Sequence, residues 1–214
     1  MKASGPLEIP KAVDVIRQAA LGLGYAHDQG IVHRDIKPGN LLLDGDGVVR
    51  ILDMGLARMT PSPGDALEGG AQADLTNTGS VMGTIDYMAP EQALDAKSVD
   101  ARADLYALGC TLYFLVTGNP PFRNDTVMRR LLAHREEPAP RISAYRPEAP
   151  SELDQIFATM MAKSPDDRFP SMKHLVVALD SLELTNSEDE QMATMDMPDD
   201  GSGGFIGVTD EDVL

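Results

Sequence analysis

Four polar residues near the start of the sequence have side chains that are suited to act together on a phosphate group. Asp35, Lys37 and Asn40 lie within the segment 33–40, and Asp53 follows after a short, mostly apolar segment. A carboxylate can orient a hydroxyl group, an ammonium group can neutralise a phosphate, and carboxylate and amide oxygens bind magnesium. These residue types together are those that phosphoryl transfer from ATP requires.

The elements around these residues are predicted to bring them together. Apolar residues recur at helical spacing between Pro10 and Gly30, which predicts an amphipathic helix over 10–29. Ile31-Val32 is predicted as a short strand, and the segments 41–43 and 48–52 as a hairpin around a turn at 44–47. The loop that carries Asp35 and Asn40 and the loop that carries Asp53 should then emerge near each other.

The turn Asp44-Gly45-Asp46-Gly47 has alternating carboxylates, which also begin a calcium-binding EF-hand loop. Val48 occupies the next ligand position, and no bidentate Glu closes the loop. A plain hairpin turn is the prediction.

Beyond the hairpin, residues 56–88 are rich in Gly, Thr, Ser, Asp and Pro, which predicts a long loop of the kind that usually carries function. The rest of the chain is predicted to be mainly helical, with segments at 90–95, 100–117, 124–134, 151–161 and 171–182. The predicted fold class is therefore mainly α with a small β-hairpin.

The charge distribution divides the chain into two parts. The formal net charge is −16, but residues 183–214 hold ten acidic residues and no Lys or Arg. A folded domain over 1–182 and an acidic disordered tail over 183–214 are expected. Because no basic stripe is present, nucleic-acid binding is a poor interpretation, and the acidity also disfavours anionic membranes.

The single cysteine, Cys110, excludes an intramolecular disulfide and lies in an apolar run that reads as protein core. That run is too short to span a bilayer, and the N-terminus lacks the apolar segment of a signal peptide. A cytoplasmic location without a membrane segment is therefore expected.

Residues 7–182 resemble the C-terminal lobe of a eukaryotic-like Ser/Thr protein kinase of the bacterial type. The resemblance rests on an ordered set of motifs rather than on one pattern. They are His33-Arg34-Asp35 with Asn40, Asp53-Met54-Gly55, Gly83-Thr84, Ala89-Pro90-Glu91, Asp104 and Arg168. Met54 stands where the family usually has Phe, and a flexible apolar side chain should be tolerated there.

The resemblance implies a role for each polar residue. Asp35 would orient the substrate hydroxyl, Asn40 and Asp53 would bind Mg²⁺, and Lys37 would contact the transferring phosphate of ATP. Lys37 at this position is typical of Ser/Thr-specific members. Taken singly, Asp35 and Asp53 could also be solvated loop acids and Asn40 a turn residue, but the joint pattern favours the functional interpretation.

The resemblance also implies supporting residues. Arg34 would pair with a phosphorylated activation loop, in which Thr76 and Thr78 are the candidate phosphosites, although ordinary loop threonines remain an alternative. Two further contacts are implied: Thr84 with Asp35 and Lys37, and a buried ion pair between Glu91 and Arg168. Asp104 is also implied as a supporting residue, although taken singly it could be a helix cap.

The N-terminal lobe of the family is not recognisable in this sequence. Its Gly-rich loop, strand lysine and helix glutamate have no counterpart before His33. The expectation is a fragmentary kinase domain, with protein substrates and poor activity alone. Two alternatives stay open: a noncatalytic module that docks a partner kinase or substrate, and complementation by a separate chain that brings the N-terminal lobe.

Overall fold

The computed structural model describes residues 5–53, 84–94 and 99–184. Six α-helices and two strands fall within these ranges. The helices are α1 (Ile9–Asp28), α2 (Pro90–Leu94), α3 (Arg102–Thr117), α4 (Val127–Glu136), α5 (Ser151–Met160) and α6 (Met172–Asp180), and the strands are β1 (Leu41–Leu43) and β2 (Val49–Ile51). The prediction of a mainly helical fold with one small hairpin is confirmed.

Helix α1 forms as its sequence pattern predicts. Pro10 lies in its first turn, where a missing backbone N–H costs no hydrogen bond. One face carries buried apolar residues from Ile9 to Ala26, and the helix gives way to Gly30 in the left-handed conformation, with φ +74°. This face packs against α3, α6 and β2. The hairpin is therefore supported by α1.

The hairpin is shorter than predicted and holds its two ends together. Strands β1 and β2 are antiparallel, and Leu41 pairs with Ile51 at the open end. At the turn, the carboxylate of Asp44 accepts hydrogen bonds from the backbone N–H groups of Asp46 and Val48. That arrangement is an Asp-stabilised turn, in agreement with the predicted plain turn.

The predicted strand at Ile31-Val32 is wrong. Of the described residues, only the hairpin segments form a sheet, and its two strands are β1 and β2. The segment after α1 instead directs the backbone N–H groups of His33 and Arg34 to the side chain of Asp104. Two β-branched residues predicted a strand, but their neighbours' donors are satisfied by a carboxylate rather than by another strand.

Helix α3 is buried on nearly every side and forms the centre of the domain. Its buried residues include Tyr106, Leu108, Cys110 and Leu112, so the predicted core position of Cys110 is confirmed. A helix that is apolar all round must be covered on every face. Helices α1 and α5 pack against it, and Gly118 ends it with φ +72°.

The described residues belong to one compact unit that ends at Leu184. The helices after α3 lie within a few residues of the predicted bounds. In this part of the chain no helix has the length and apolar character that a membrane crossing requires. The acidic tail that the sequence predicts lies, beyond Leu184, outside the described residues, and the cytoplasmic location stays a prediction.

Candidate active site

Asp35, Lys37 and Thr84 form the centre of the site. The Lys37 ammonium donates to both carboxylate oxygens of Asp35, at 2.8 Å to Oδ2 and 3.1 Å to Oδ1. It also donates to Thr84 Oγ1 at 2.9 Å. The three side chains that the sequence singles out separately therefore meet. The ammonium group holds the carboxylate in one orientation, with a cation directly beside it.

Asn40 completes the other side of Asp35. It lies at the end of a short 3-10 turn, Pro38–Asn40, and is buried. Its amide nitrogen donates to the backbone oxygen of Asp35 at 2.7 Å and to Oδ2 of the same residue at 3.1 Å. Because both bonds use the nitrogen, the amide oxygen is the atom that can act as a metal ligand.

Asp53 lies two residues after the end of β2, and the backbone holds this part of the chain next to Asn40. The N–H of Leu52 donates to the carbonyl of Asn40 at 2.9 Å. Asp53 is exposed and has φ +58°, a left-handed conformation that few residues other than Gly adopt. The backbone therefore changes direction at Asp53, shortly after the end of β2.

His33 joins the two loops. Its Nε2–H donates to the carbonyl of Leu52 at 2.9 Å, and its Nδ1 faces the N–H of Asp35 at 3.3 Å. One neutral tautomer satisfies both contacts, since one ring nitrogen donates and the other accepts. His33 is therefore a structural bridge between Asp35 and the residue before Asp53.

Asp104 of α3 holds the beginning of the catalytic loop. Its carboxylate is fully buried and accepts from the backbone N–H groups of His33 at 2.9 Å and Arg34 at 2.7 Å. His27 Nε2 lies 2.8 Å from the same carboxylate. Arg34 has φ +68°, a conformation of non-Gly residues that surrounding contacts must support. Here Asp104 provides that support.

Two residues that make contacts in the site, His27 and Gln92, are not among the predicted site residues. His27 stands at the end of α1, and Gln92 stands in α2, where its amide donates to the carbonyl of Arg34 at 2.9 Å. The oxygen of Gln92 accepts from the N–H of Ala89 at 2.9 Å. The only sequence signal for Gln92 is its place directly after the Ala-Pro-Glu motif, which does not reveal a partner so distant in the chain.

Glu91 and Arg168 form an ion pair in which Arg168 is buried and Glu91 is partly exposed. Two parallel bonds of 2.7 and 2.8 Å join the guanidinium to the carboxylate. The remaining N–H groups of Arg168 donate to the carbonyls of Ala162, Arg102 and Lys163. All five donors of the guanidinium are thus satisfied, which is the condition under which a buried charge is tolerated. The pair fixes α2 against the segment before α6.

A shallow pocket opens beside Asp35. Its lining includes Arg34, Thr84, Tyr87 and Met88. Burial raises the pKa of Tyr87 well above its usual value, so its phenol stays neutral and keeps its proton. Asp35 is itself among the residues that line this pocket.

The donor set fits a magnesium ion that is held mainly by phosphates. Asn40 and Asp53 offer one amide oxygen and one carboxylate, both hard oxygen ligands. Among the described residues no group of three or more His, Cys, Asp or Glu side chains could hold a metal alone. Mg²⁺ commonly uses only one or two protein ligands with nucleotide phosphates and water, and this pair suits that mode.

The sequence matches the family model of the protein kinase domain over residues 1–178. The chain belongs to the protein kinase family. The resemblance that the motifs predicted is therefore confirmed, together with the fold class of a mainly helical kinase C-terminal lobe with a small hairpin.

Several bacterial Ser/Thr kinases are similar to this chain. Serine/threonine-protein kinase PknD of Mycobacterium tuberculosis is 42% identical over 196 residues, which cover 91% of this chain and 28% of that protein. PknH of Mycobacterium bovis is 39% identical over 178 residues, covering 83% of this chain and 28% of that protein. PknB of Mycolicibacterium smegmatis is 37% identical over 166 residues, covering 77% and 25%. The chain thus spans little more than a quarter of the length of these kinases.

Some predicted residues lie outside the described ranges. They are Met54, Gly55, the candidate phosphosites Thr76 and Thr78, and Gly83. The other predicted residues, Arg34, Asp35, Lys37, Asn40, Asp53, Thr84, Glu91, Asp104 and Arg168, all lie within the described part of the chain.

Proposed function

We propose that this chain carries the hydroxyl-orienting and metal-binding part of a Ser/Thr protein kinase, which transfers the γ-phosphoryl group of ATP to protein Ser and Thr hydroxyls. The observation that supports the proposal best is the orientation of the Asp35 carboxylate by Lys37 and Asn40. A carboxylate fixed by three hydrogen bonds, beside an open pocket, is suited to align a nucleophile.

In this proposal Asp35 accepts a hydrogen bond from the incoming hydroxyl and takes its proton as the new oxygen–phosphorus bond forms. The bond between the γ-phosphorus and the β,γ-bridging oxygen of ATP breaks in the same transfer, and ADP leaves with that oxygen. Lys37 already lies next to that carboxylate and supplies positive charge where the transferring phosphate would sit. Thr84 keeps the ammonium group in place through its hydroxyl oxygen. The same residue pair therefore serves both the acceptor and the phosphate.

Asn40 and Asp53 would hold Mg²⁺ through one amide oxygen and one carboxylate. Magnesium, when bound with ATP, neutralises the charge that develops on the phosphate oxygens. The chain's own contribution is to keep the two ligands at fixed places. The bond from Leu52 to the Asn40 carbonyl and the bond from His33 to the Leu52 carbonyl join their backbones.

The test is phosphoryl transfer from radiolabelled ATP to Ser- and Thr-containing proteins by the full chain. We expect Asp35→Asn to lower the rate by about 10²- to 10⁴-fold, because it removes the group that orients the hydroxyl and accepts its proton. Asp46→Asn is the matched control, since it neutralises an exposed acid in the hairpin turn. Equal rates for Asp35→Asn and Asp46→Asn would contradict the proposal.

A separate proposal concerns the binding of ATP by this chain. The Gly-rich loop and strand lysine that cover ATP in this family are not recognisable in the 214 residues. We therefore propose that this chain alone binds ATP weakly and transfers phosphate slowly. The same assay on a chain extended by upstream coding sequence should show the larger rate. Low-micromolar binding of Mg-ATP by the 214 residues would refute this point.

The noncatalytic docking module makes a different prediction. If docking were the function, Asp35→Asn and Asp53→Asn would leave both partner capture and the cellular effect unchanged. The oriented carboxylate of Asp35 favours catalysis, because a surface that only docks a protein partner does not need it. A cellular effect that survives both substitutions would favour the module.

A further inference from the structure

A part-buried ion pair joins helix α4 to the segment Thr84–Met88 beside the site. Arg130 of α4 donates through Nη1 to the carboxylate of Asp86 at 3.0 Å. The two side chains are 15% and 18% exposed. Arg130 also donates through Nε to the carbonyl of Asn124 at 2.8 Å, which fixes the guanidinium near the start of its own helix. Rigid α4 is thus attached to a short connecting segment.

That segment forms one wall of the acceptor side of the site. Thr84 at its start accepts a hydrogen bond from Lys37, and Tyr87 and Met88 at its end line the pocket beside Asp35. Asp86 lies between these two functions. A shift of its backbone would move the partner of Lys37 and the pocket wall together.

Within the segment, Thr84 and Ile85 are helical, and a turn follows at Asp86 and Tyr87. The N–H of Tyr87 donates to the carbonyl of Thr84, and the N–H of Met88 to that of Ile85, both at 3.2 Å. These bonds are at the long end of the normal range. An edge-on contact between the rings of Tyr87 and Phe114 ties the segment to α3. The Asp86 carboxylate ties it to α4.

Arg130 supplies the positive charge that faces the partly buried carboxylate of Asp86. Burial raises the pKa of Asp86, and the facing guanidinium opposes that rise. If Arg130 were removed, Asp86 would be a carboxylate in a partly buried place without its opposite charge. Breaking one partner of such a pair costs more than removing both. The segment would be expected to turn Asp86 toward water and lose its present shape.

We propose that Arg130 is a positioning residue for the phosphate acceptor, acting through Asp86 on the wall formed by Thr84, Tyr87 and Met88. The proposal rests on the proposed kinase function. It assigns Arg130 to the acceptor side alone. The metal ligands Asn40 and Asp53 are joined by different contacts, through His33 and Leu52, and neither involves α4.

The first test measures the segment itself and needs no catalysis. Amide hydrogen exchange at Tyr87 and Met88 should be about tenfold faster in Arg130→Met than in the unsubstituted chain, because local opening becomes easier. Amides in the middle of α1 should not change. Arg129→Met is the matched control: it removes the same charge from the neighbouring, exposed position of α4, and we expect no change.

A double substitution separates the ion pair from a general loss of packing. In Arg130→Met combined with Asp86→Asn, the carboxylate that Arg130→Met would leave without its opposite charge is itself removed. The exchange rates at Tyr87 and Met88 should therefore return to within about threefold of those of Asp86→Asn alone, since the two effects are coupled. Arg130→Lys, which keeps the charge but loses the bond from Nε, should lie between Arg130→Met and the unsubstituted chain.

The second test measures kinetics, on this chain or on the extended chain if only that form is active. Arg130→Met should raise the KM for the protein substrate about tenfold and leave the KM for ATP within about twofold. If neither form transfers phosphate at all, the proposed function fails, while the exchange experiment still decides the role of Arg130 in the segment.

Three outcomes would overturn the inference. One is equal exchange at Tyr87 and Met88 in Arg130→Met and Arg129→Met. Another is faster exchange throughout α1 and α3, which would make Arg130 a residue of general stability. The third is a rise in the KM for ATP that matches the rise for the protein substrate.

Discussion

The buried carboxylate of Asp104 contacts three groups at the beginning of the catalytic loop and the end of α1. Two backbone N–H groups, from His33 and Arg34, and the ring of His27 all converge on it. A neutral amide has only one oxygen to replace two, and its NH₂ group would face another donor. A buried donor without an acceptor costs far more than an exposed one, since water cannot replace the lost partner.

We therefore predict that Asp104→Asn lowers the free energy of unfolding by about 2–3 kcal/mol, measured by urea denaturation. Its rate of phosphoryl transfer should fall as well, because Arg34 is held in its left-handed conformation by this carboxylate. Asp100→Asn provides the control. That residue pairs with Arg102 at an exposed site, where an ion pair contributes less than about 1 kcal/mol. Equal losses for the two variants would contradict the prediction.

The same residues show how far sequence reasoning reaches at this scale. Asp35, Lys37, Asn40 and Thr84 were predictable, since each belongs to a motif in which residue type and chemistry are tied together. The contacts of His27 and Gln92 were not. Each depends on a partner far away in the chain, His27 on Asp104 and Gln92 on Arg34, and only packing of the helices brings such pairs together.

At the scale of elements, α3 and the end of α5 approach each other closely at Gly109. A Cβ atom added to Gly109 would lie 3.1 Å from the Cβ of Met160 and 3.1 Å from the sulfur of Met161. The Met160 atom is next to the backbone and cannot move without its helix. Gly24 in α1 offers a contrast, because a Cβ there would meet Met172 at 3.4 Å, an ordinary contact.

We predict opposite signs for Gly109→Ala and Gly24→Ala. In both, alanine gains up to about 1 kcal/mol of helix propensity. At Gly109, overpacking costs about 1–3 kcal/mol, so the free energy of unfolding should fall by about 1 kcal/mol. At Gly24 it should rise by about 0.5 kcal/mol, since nothing has to move. Thermal and urea unfolding of both variants measure the two signs, and stabilisation by Gly109→Ala would refute the packing argument.

Element boundaries were predictable where a residue has a strong local preference. Pro10 marks the start of α1 and Gly30 the chain reversal after it. The strand predicted at Ile31-Val32 failed because a strand exists only with a partner, and β-branched side chains do not specify one. Helix α3 was found by its apolar run, but its central position was not predictable, since burial on all sides depends on what α1 and α5 cover.

At the scale of the whole molecule, the buried apolar side chains of α1, α3, α5 and α6 form one continuous cluster. A single core favours cooperative unfolding, so a local protonation changes the stability of the entire domain. His134 of α4 is the clearest such group. It is 1% exposed, lies against Phe122 and faces the hydroxyl of Tyr106 through Nδ1 at 2.9 Å.

Burial, and secondly the charge of Lys163, lower the pKa of His134 to about 4 from the usual 6.5. Between these two pKa values, His134 is mostly protonated in the unfolded chain and mostly neutral in the folded domain. The free energy of unfolding must therefore fall as the pH falls. From pH 7 to pH 5 the loss from this group is about 2 kcal/mol. Because acidic side chains with lowered pKa values, such as Asp100, titrate mostly below this window, they contribute little to it.

We predict that His134→Gln flattens the decline of stability between pH 7 and pH 5, whatever its effect on stability at pH 7. Glutamine has no proton to gain in this range, and its oxygen can still accept from Tyr106. Urea unfolding at several pH values measures the slope. The control is His174→Gln, since His174 is exposed and contacts Ser171 at the start of α6, and this variant should keep the full decline. An unchanged slope in His134→Gln would mean that the buried imidazole is already protonated in the folded domain. That result would contradict the lowered pKa of His134.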